Sequence, residues 1–216
     1  MVQRQDAGFP SLQPGFDSRS AHMGILRFFE VANRLKAIKR SGWVEREVEN
    51  PESVADHSFM TILLSYVLGR GKGMDMEKLL KMAVVHDLAE AVVGDIMTWK
   101  RDGEYPEGNK SPEEKYEIEK TGLGEILKDM DAEQAGEIMA LWTEFEEQES
   151  AESLFLKQID KLEMLLQVVE YHRTGNFKKP LEPFFRNVNL IRDPDLRRLL
   201  KDVHELSGHG GGTGSR

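Results

Sequence analysis

The chain contains no cysteine. Disulfide staples and thiolate metal sites are thereby excluded, leaving nitrogen and oxygen ligands for any bound ion. Long apolar runs are missing too. The longest, such as Ile62-Leu63-Leu64, fall far short of the roughly 20 residues a membrane span requires. Positive charge is in the minority, with 29 Lys and Arg against 38 Asp and Glu and a net charge of -9. Nucleic acid is not an expected partner, since it needs a basic footprint. A small phosphorylated substrate remains compatible, because a metal and one or two basic side chains can reverse the local field. No basic start leads into an apolar stretch, so nothing marks the chain for secretion and a cytoplasmic location is expected.

What is present is enough for one full-sized core in 216 residues, 39% of them apolar and 31% charged. Helical periods recur along the chain, with no convincing alternating strand. The expected fold class is all-α, one helical bundle between a loose leader at 1–20 and a disordered Gly-rich tail at 208–216. Within 21–207, the motif-bearing core occupies 24–173 and C-terminal helices occupy 177–207.

Ile25, Phe28, Phe29, Ala32, Leu35 and Ile38 make a first helical stripe, followed by an extended crossing from Trp43 to Val48. Ser53, with Asp56 three residues on, forms a capping box for a second helix. Asp75 caps a third and Gly94 fits its end. From Asp95 to Lys110 the chain is polar and rich in turn formers, a flap over a site. Ser111-Pro112-Glu113-Glu114 opens another helix, which Gly122 and Gly124 weaken to the point of a possible break. Asp131 starts a helix with Ile138, Leu141, Trp142 and Phe145 inward. A long helix runs from Ser150 to about His172, and a last one uses Leu196, Leu199, Leu200, Val203 and Leu206.

Met82 to Asp95, M-A-V-V-H-D-L-A-E-A-V-V-G-D, stands out. Its apolar residues leave almost no polar face, so it reads as one helix buried nearly all round. Yet it carries His86, Asp87 and Glu90, which helical spacing projects toward one side. An unpaired buried polar group costs roughly 1–3 kcal/mol, and a charge more. Three on one buried turn demand a partner, and a divalent cation suits imidazole and carboxylate together. His57, in the first turn of the second helix, and Asp160, bordering the inner face of the long late helix, break the pattern in the same way. Two His and two Asp make a mixed site suited to Mn²⁺, Co²⁺, Fe²⁺ or Ni²⁺, with Mg²⁺ and Zn²⁺ also to be considered.

His57, His86-Asp87 and Asp160 resemble the H…HD…D pattern of the HD-domain metal-dependent phosphohydrolases. Pro51-Glu52-Ser53-Val54-Ala55-Asp56-His57, Val85-His86-Asp87-Leu88-Ala89-Glu90, Gly94-Asp95-Ile96 and Lys157-Gln158-Ile159-Asp160-Lys161 resemble the 5′-deoxynucleotidase subgroup, over roughly Gly24 to Arg173. The resemblance implies metal-dependent hydrolysis of deoxyribonucleoside 5′-monophosphates, with His57, His86, Asp87 and Asp160 as metal ligands. It implies that Glu90 and Asp95 handle the attacking water and the leaving oxygen, or else hold a second ion. Trp43 matches a substrate-binding Trp. Some relatives place an Arg directly before it, where this chain has Gly42, so Arg40 or Arg46 is left to reach the phosphate, with Arg40 preferred. Relatives of this type are often homodimers, for which the C-terminal helices supply either an interface or the last of the core. The competing readings are another HD phosphohydrolase acting on nucleoside triphosphates, cyclic nucleotides or alarmones, and a non-catalytic helical module stapled by its metal.

Overall fold

Side-chain caps decide where most of the helices begin. The computed structural model describes residues 18–208, and the surroundings of side chains 22–203. The tail after 208 and the leader up to 17 lie outside the described residues, but positions 18–20, expected in the leader, already belong to a helix. The elements in order are α1 (Ser18–Ala32), a 3₁₀ turn (Asn33–Lys36), α2 (Ser41–Glu45), α3 (Val54–Leu68), α4 (Met76–Val85) and α5 (Glu90–Val93). Then follow α6 (Pro112–Leu127), α7 (Ala132–Glu147), α8 (Ala151–Thr174), a 3₁₀ segment (Glu182–Leu190) and α9 (Pro194–Gly208). Among the described residues there is no strand, only two isolated bridges, Lys39 with Ser53 and Arg101 with Glu104. No described helix is long and apolar enough to cross a membrane.

The Ser53 and Ser111 capping boxes form as expected, and Asp75 and Asp131 accept from the first-turn amides of α4 and α7. Each satisfies amides that a helix start leaves unpaired. The core has two lobes. In one, Leu156, Ile159, Leu162, Leu165 and Val168 of α8 meet Leu79 and Met82 of α4, Trp43 of α2, and Leu196 and Leu200 of α9. In the other, Val85, Leu88, Ala89 and Ala91 meet Leu123, Ile126 and Leu127 of α6 and Trp142 of α7. Leu196 is wholly enclosed, so the apolar side of α9 completes the monomer core.

Five sequence expectations are corrected. Met82 to Asp95 is not one helix: α4 stops at Val85, and α5 begins at Glu90. Between them, Leu88 bonds back to Val85, Glu90 to Asp87 and Ala91 to Leu88, the three-residue closure of a 3₁₀ turn. At that pitch residues three apart eclipse, so Asp87 and Glu90 share a side. The segment is also less buried than its composition implied, with Val84 60% and Val92 45% exposed. Trp43 starts no extended crossing but lies in α2, because Trp43 and Val44 both bond back to the Arg40 carbonyl. α6 runs unbroken through Gly122, where a side chain would meet Val93 Cγ1 at 2.7 Å; the glycine is there for close packing against α5. Finally, Ile25 and Phe29 of the α1 stripe face outward, and Phe28, Ala32 and Leu35 face the core.

Candidate metal centre

Three helices bring the four expected ligands to the boundary between the two lobes. The cap at Ser53 sets the start of α3 and so places His57 one turn in, fully buried. His86 ends α4, Asp87 occupies the 3₁₀ turn, and Asp160 sits midway along α8. α3, α4 and α8 pack on one another, which holds these positions together.

Hydrogen bonds to the far side of each ring fix the tautomers. A carboxylate can only accept, so the His57 Nδ1–H must donate to Glu163 Oε2. His86 Nδ1–H donates to the Ala83 carbonyl at 2.9 Å. In the neutral rings both Nε2 atoms then carry a lone pair, that of His57 with the Thr61 hydroxyl 3.5 Å away. His57 Nε2 lies 3.2 Å from Asp160 Oδ1 and 3.6 Å from Asp87 Oδ2, and His86 Nε2 lies 3.1 Å from Asp87 Oδ2. Ligand atoms of His57, His86 and Asp160 all fall within 4.8 Å of one another. His86 Nε2 and Asp87 Oδ2 are buried, close together, and neither has a hydrogen-bond partner in the protein. Two electron-rich atoms facing each other in this way repel unless something positive stands between them. The residues therefore fit a divalent cation, and their nitrogen and oxygen donors match the ions expected from sequence.

Electrostatics around this point are strongly polarised. Burial opposes ionisation of Asp160, but Lys161 and His57 override it and hold the carboxyl well below the usual range. Burial, Asp87 and Asp95 push the Glu90 carboxyl well above its ordinary value, against the smaller influence of Arg40 and Lys115. Asp95 is anchored by Ser41, whose backbone N–H donates to its Oδ2 at 2.6 Å and whose hydroxyl donates to its carbonyl at 2.7 Å. Asp87, Glu90, Asp95 and Asp160 line a cleft of about 1310 Å³, with Ile96 to Asp102 along one wall; the rest of the expected flap, Gly103 to Lys110, does not line it.

Among the expected substrate contacts, Arg40 and Arg46 both line this cleft, and an Arg40 nitrogen stands 3.5 Å from Asp87 Oδ2. Trp43 does not line it. At 2% exposure it lies beneath the wall, donating its indole N–H to Glu52 Oε1 at 2.8 Å and packing on Phe184, which does reach the cleft. A direct contact between this indole and a ligand is not what the geometry provides; the apolar ring of Trp43 is taken up by Tyr171 and Phe184.

Glu163, Lys161 and Phe184 escaped the sequence reading. Glu163 was detectable, since it stands three residues after Asp160 on the apolar face of α8, where a carboxylate has no other reason to be. Lys161 was not, because adjacent residues on a helix diverge. Its side chain nevertheless leans back to place Nζ 3.1 Å from Asp160 Oδ2.

The chain belongs to the HD-domain family, whose model matches residues 32–202. It is 39% identical over 171 residues to a Dictyostelium discoideum protein named 5′-deoxynucleotidase HDDC2, covering 74% of this chain and 85% of that one. A Schizosaccharomyces pombe protein named 5′-deoxynucleotidase hdd1 is 37% identical over 185 residues, covering 84% and 89%. Among solved structures, the PH0347 protein from Pyrococcus horikoshii OT3 superposes with a TM-score of 0.64 at 33% identity, covering 85% of this chain and 98% of that one.

Proposed function

We propose that this chain is a metal-dependent phosphomonoesterase that hydrolyses deoxyribonucleoside 5′-monophosphates to nucleoside and phosphate. The observation that carries the reading is the convergence of two imidazole nitrogens on two carboxylates, with His86 Nε2 and Asp87 Oδ2 unpartnered, where Asp87 and Asp160 line an open cleft. The names of the relatives support the substrate class. His57, His86, Asp87 and Asp160 would hold the ion, which when bound polarises the phosphoryl group and acidifies its water.

The remaining steps fall to the protein. Glu90, whose burial and acidic neighbours favour its protonated form, can give a proton to the leaving 5′-oxygen. Asp95, fixed through Ser41, offers its other oxygen to the attacking water. Arg40 and Lys161 flank the ligand carboxylates from two elements and supply the donors for phosphate oxygens. Phe184, seated on Trp43, gives the sugar or base an apolar wall. The same reading includes a homodimer, supported by the exposed apolar row Phe59, Met60, Leu63, Tyr66 and Val67 on α3.

The test is a phosphate-release panel with Mn²⁺ or Co²⁺ added: dAMP, dCMP, dGMP and TMP against triphosphates and cyclic diesters. Release from at least one monophosphate, abolished by a chelator, is expected. Cleavage confined to triphosphates or diesters would move the chain to another HD phosphohydrolase class. Light scattering on the same preparation should read twice the mass of the chain; a single-chain mass would remove the dimer.

A further inference from the structure

The two imidazoles of the metal centre are held by different chemistry. His86 leans on a neutral main-chain carbonyl, that of Ala83, at 2.9 Å. His57 leans on a carboxylate, Glu163 Oε2, and both partners are buried, at 0% and 3% exposure. Glu163 plays no part in the hydrolysis described above and is too deep to meet a substrate. It is also a costly residue to keep among Ile159, Leu162 and Val168 unless something requires it.

We infer that Glu163 is a positioning residue that fixes the Nδ1–H tautomer of His57 and makes its Nε2 the stronger nitrogen donor to the metal. The physical basis is direct. A carboxylate accepting from Nδ1–H draws positive charge into the ring and raises the basicity of the opposite nitrogen, whereas a carbonyl does so less. The same bond locks the ring plane, so that Nε2 stays aimed between Asp160 Oδ1 and Asp87 Oδ2. Nor can the ring turn over to offer Nδ1 instead. Doing so would leave Glu163 buried without its donor, an uncompensated charge that costs several kcal/mol. A second carboxylate, the half-buried Glu52, lies within the same 4.8 Å group as His57 and Glu163. Its Oε1 is already engaged by the Trp43 indole N–H, which leaves His57 to Glu163.

The inference rests on the metal site proposed above, and its test separates the two. Calorimetric titration of Co²⁺ into the metal-free wild-type chain comes first; no binding there would remove the site itself. If Co²⁺ binds, Glu163→Gln keeps the shape and one acceptor, and should weaken affinity about tenfold. Glu163→Ala, which leaves Nδ1 without an acceptor, should weaken it by ~10–100-fold, the usual worth of such a partner. The visible Co²⁺ spectrum should shift in both variants. Nitrogen NMR of labelled histidine in the metal-free protein, recorded at alkaline pH where the ring is neutral, should show His57 as the Nδ1–H form in wild type, and a tautomer mixture in Glu163→Ala. An equivalent loss should not follow from Glu52→Gln, which removes a carboxylate that does not touch His57. Glu163→Gln binding Co²⁺ as tightly as wild type, with an unchanged spectrum and tautomer, would overturn the inference. So would a fall in melting temperature alone, since that is all a purely structural role would produce.

Discussion

Glu90 should be a residue that the protein keeps at the expense of its own stability, and Glu90→Gln should expose this. The side chain is 2% exposed, and its Oε2 has no hydrogen-bond partner in the protein. Burial, Asp87 and Asp95 disfavour the ionised form, so the folded chain retains this proton to higher pH than the unfolded chain does. An amide of the same shape needs no proton, so the substitution should stabilise the fold at neutral pH by ~1–2 kcal/mol, one pKa unit of difference being worth about 1.4 kcal/mol. For a chain of this size that is a rise of roughly 2–8 °C in Tm. The sign depends on pH. Because burial and the acidic neighbours raise the folded carboxyl above its unfolded value, the cost is absent below about pH 4. It grows as pH climbs toward the folded value, since only the unfolded chain then gives up the proton. The amide does not titrate. Melting of wild type and variant, both in chelator, should therefore coincide near pH 4 and separate at neutral pH with the variant higher. Turnover of a deoxynucleoside monophosphate should fall by ~10²–10⁴, because an amide has no proton to donate. A variant less stable than wild type at neutral pH, or one that turns over normally, would refute the reasoning.

Two further outcomes follow from the geometry. In the metal-free protein burial and Arg40 work against protonating His57, but hydrogen bonds to Asp160 and Glu163 prevail and lift it to about 9. Its contribution to stability is then fully present below its unfolded value of about 6.5 and is lost as pH rises through about 9. A cation has to displace this proton, so the apparent Co²⁺ affinity should climb by about tenfold per pH unit up to that point and then level off. Titration in buffers of different ionisation heat checks it, and a flat profile from pH 6.5 to 9 would contradict it. At Gly122, an added methyl would sit 2.7 Å from Val93 Cγ1. Gly122→Ala should cost ~1–3 kcal/mol, and Val93→Ala in the same chain should recover most of it; denaturant melts of the single and double variants decide this, and a Gly122→Ala chain as stable as wild type would be the failing result.

Much of this molecule was legible as text because its signals are local. Ser53 with Asp56, Asp75, Ser111 with Glu114, and Asp131 each announce a helix start within four residues, and all four starts are where those caps place them. The candidate ligands stood out for a different reason: His57, His86, Asp87 and Asp160 are polar residues in apolar surroundings, an arrangement that physics penalises unless it is used. What periodicity could not convey was a change of pitch. The turn at His86–Ala89 keeps the apolar composition of a helix while closing three residues back, and composition is blind to that difference. Nor could it convey depth. Trp43 is as available to a ligand as to Tyr171 and Phe184 until the 3₁₀ segment at Glu182–Leu190 is laid across it, and that packing joins positions some 140 residues apart.

The placement of the cations shows how a chain of net charge -9 can select a small phosphate over a polyanion. Nearly every basic group at the cleft is set against an acid: Lys161 with Asp160 at 3.1 Å, Lys157 with Glu146 at 3.2 Å, Lys115 with Glu119 at 2.8 Å, Arg40 with Asp87 at 3.5 Å. Seen from beyond a Debye length of about 8 Å, these pairs cancel and the net acidity of the chain dominates. These pairs do not form the continuous basic surface on which DNA and RNA binding, through the release of many counterions, depends. At hydrogen-bonding range the pairs do not cancel. Each ammonium or guanidinium keeps N–H donors free after meeting its one carboxylate oxygen, and a phosphomonoester presents three terminal oxygens to receive them. Selectivity of this kind is carried by distance rather than by total charge. It requires the cations to be held in place before the ligand arrives, which is what their carboxylate partners accomplish.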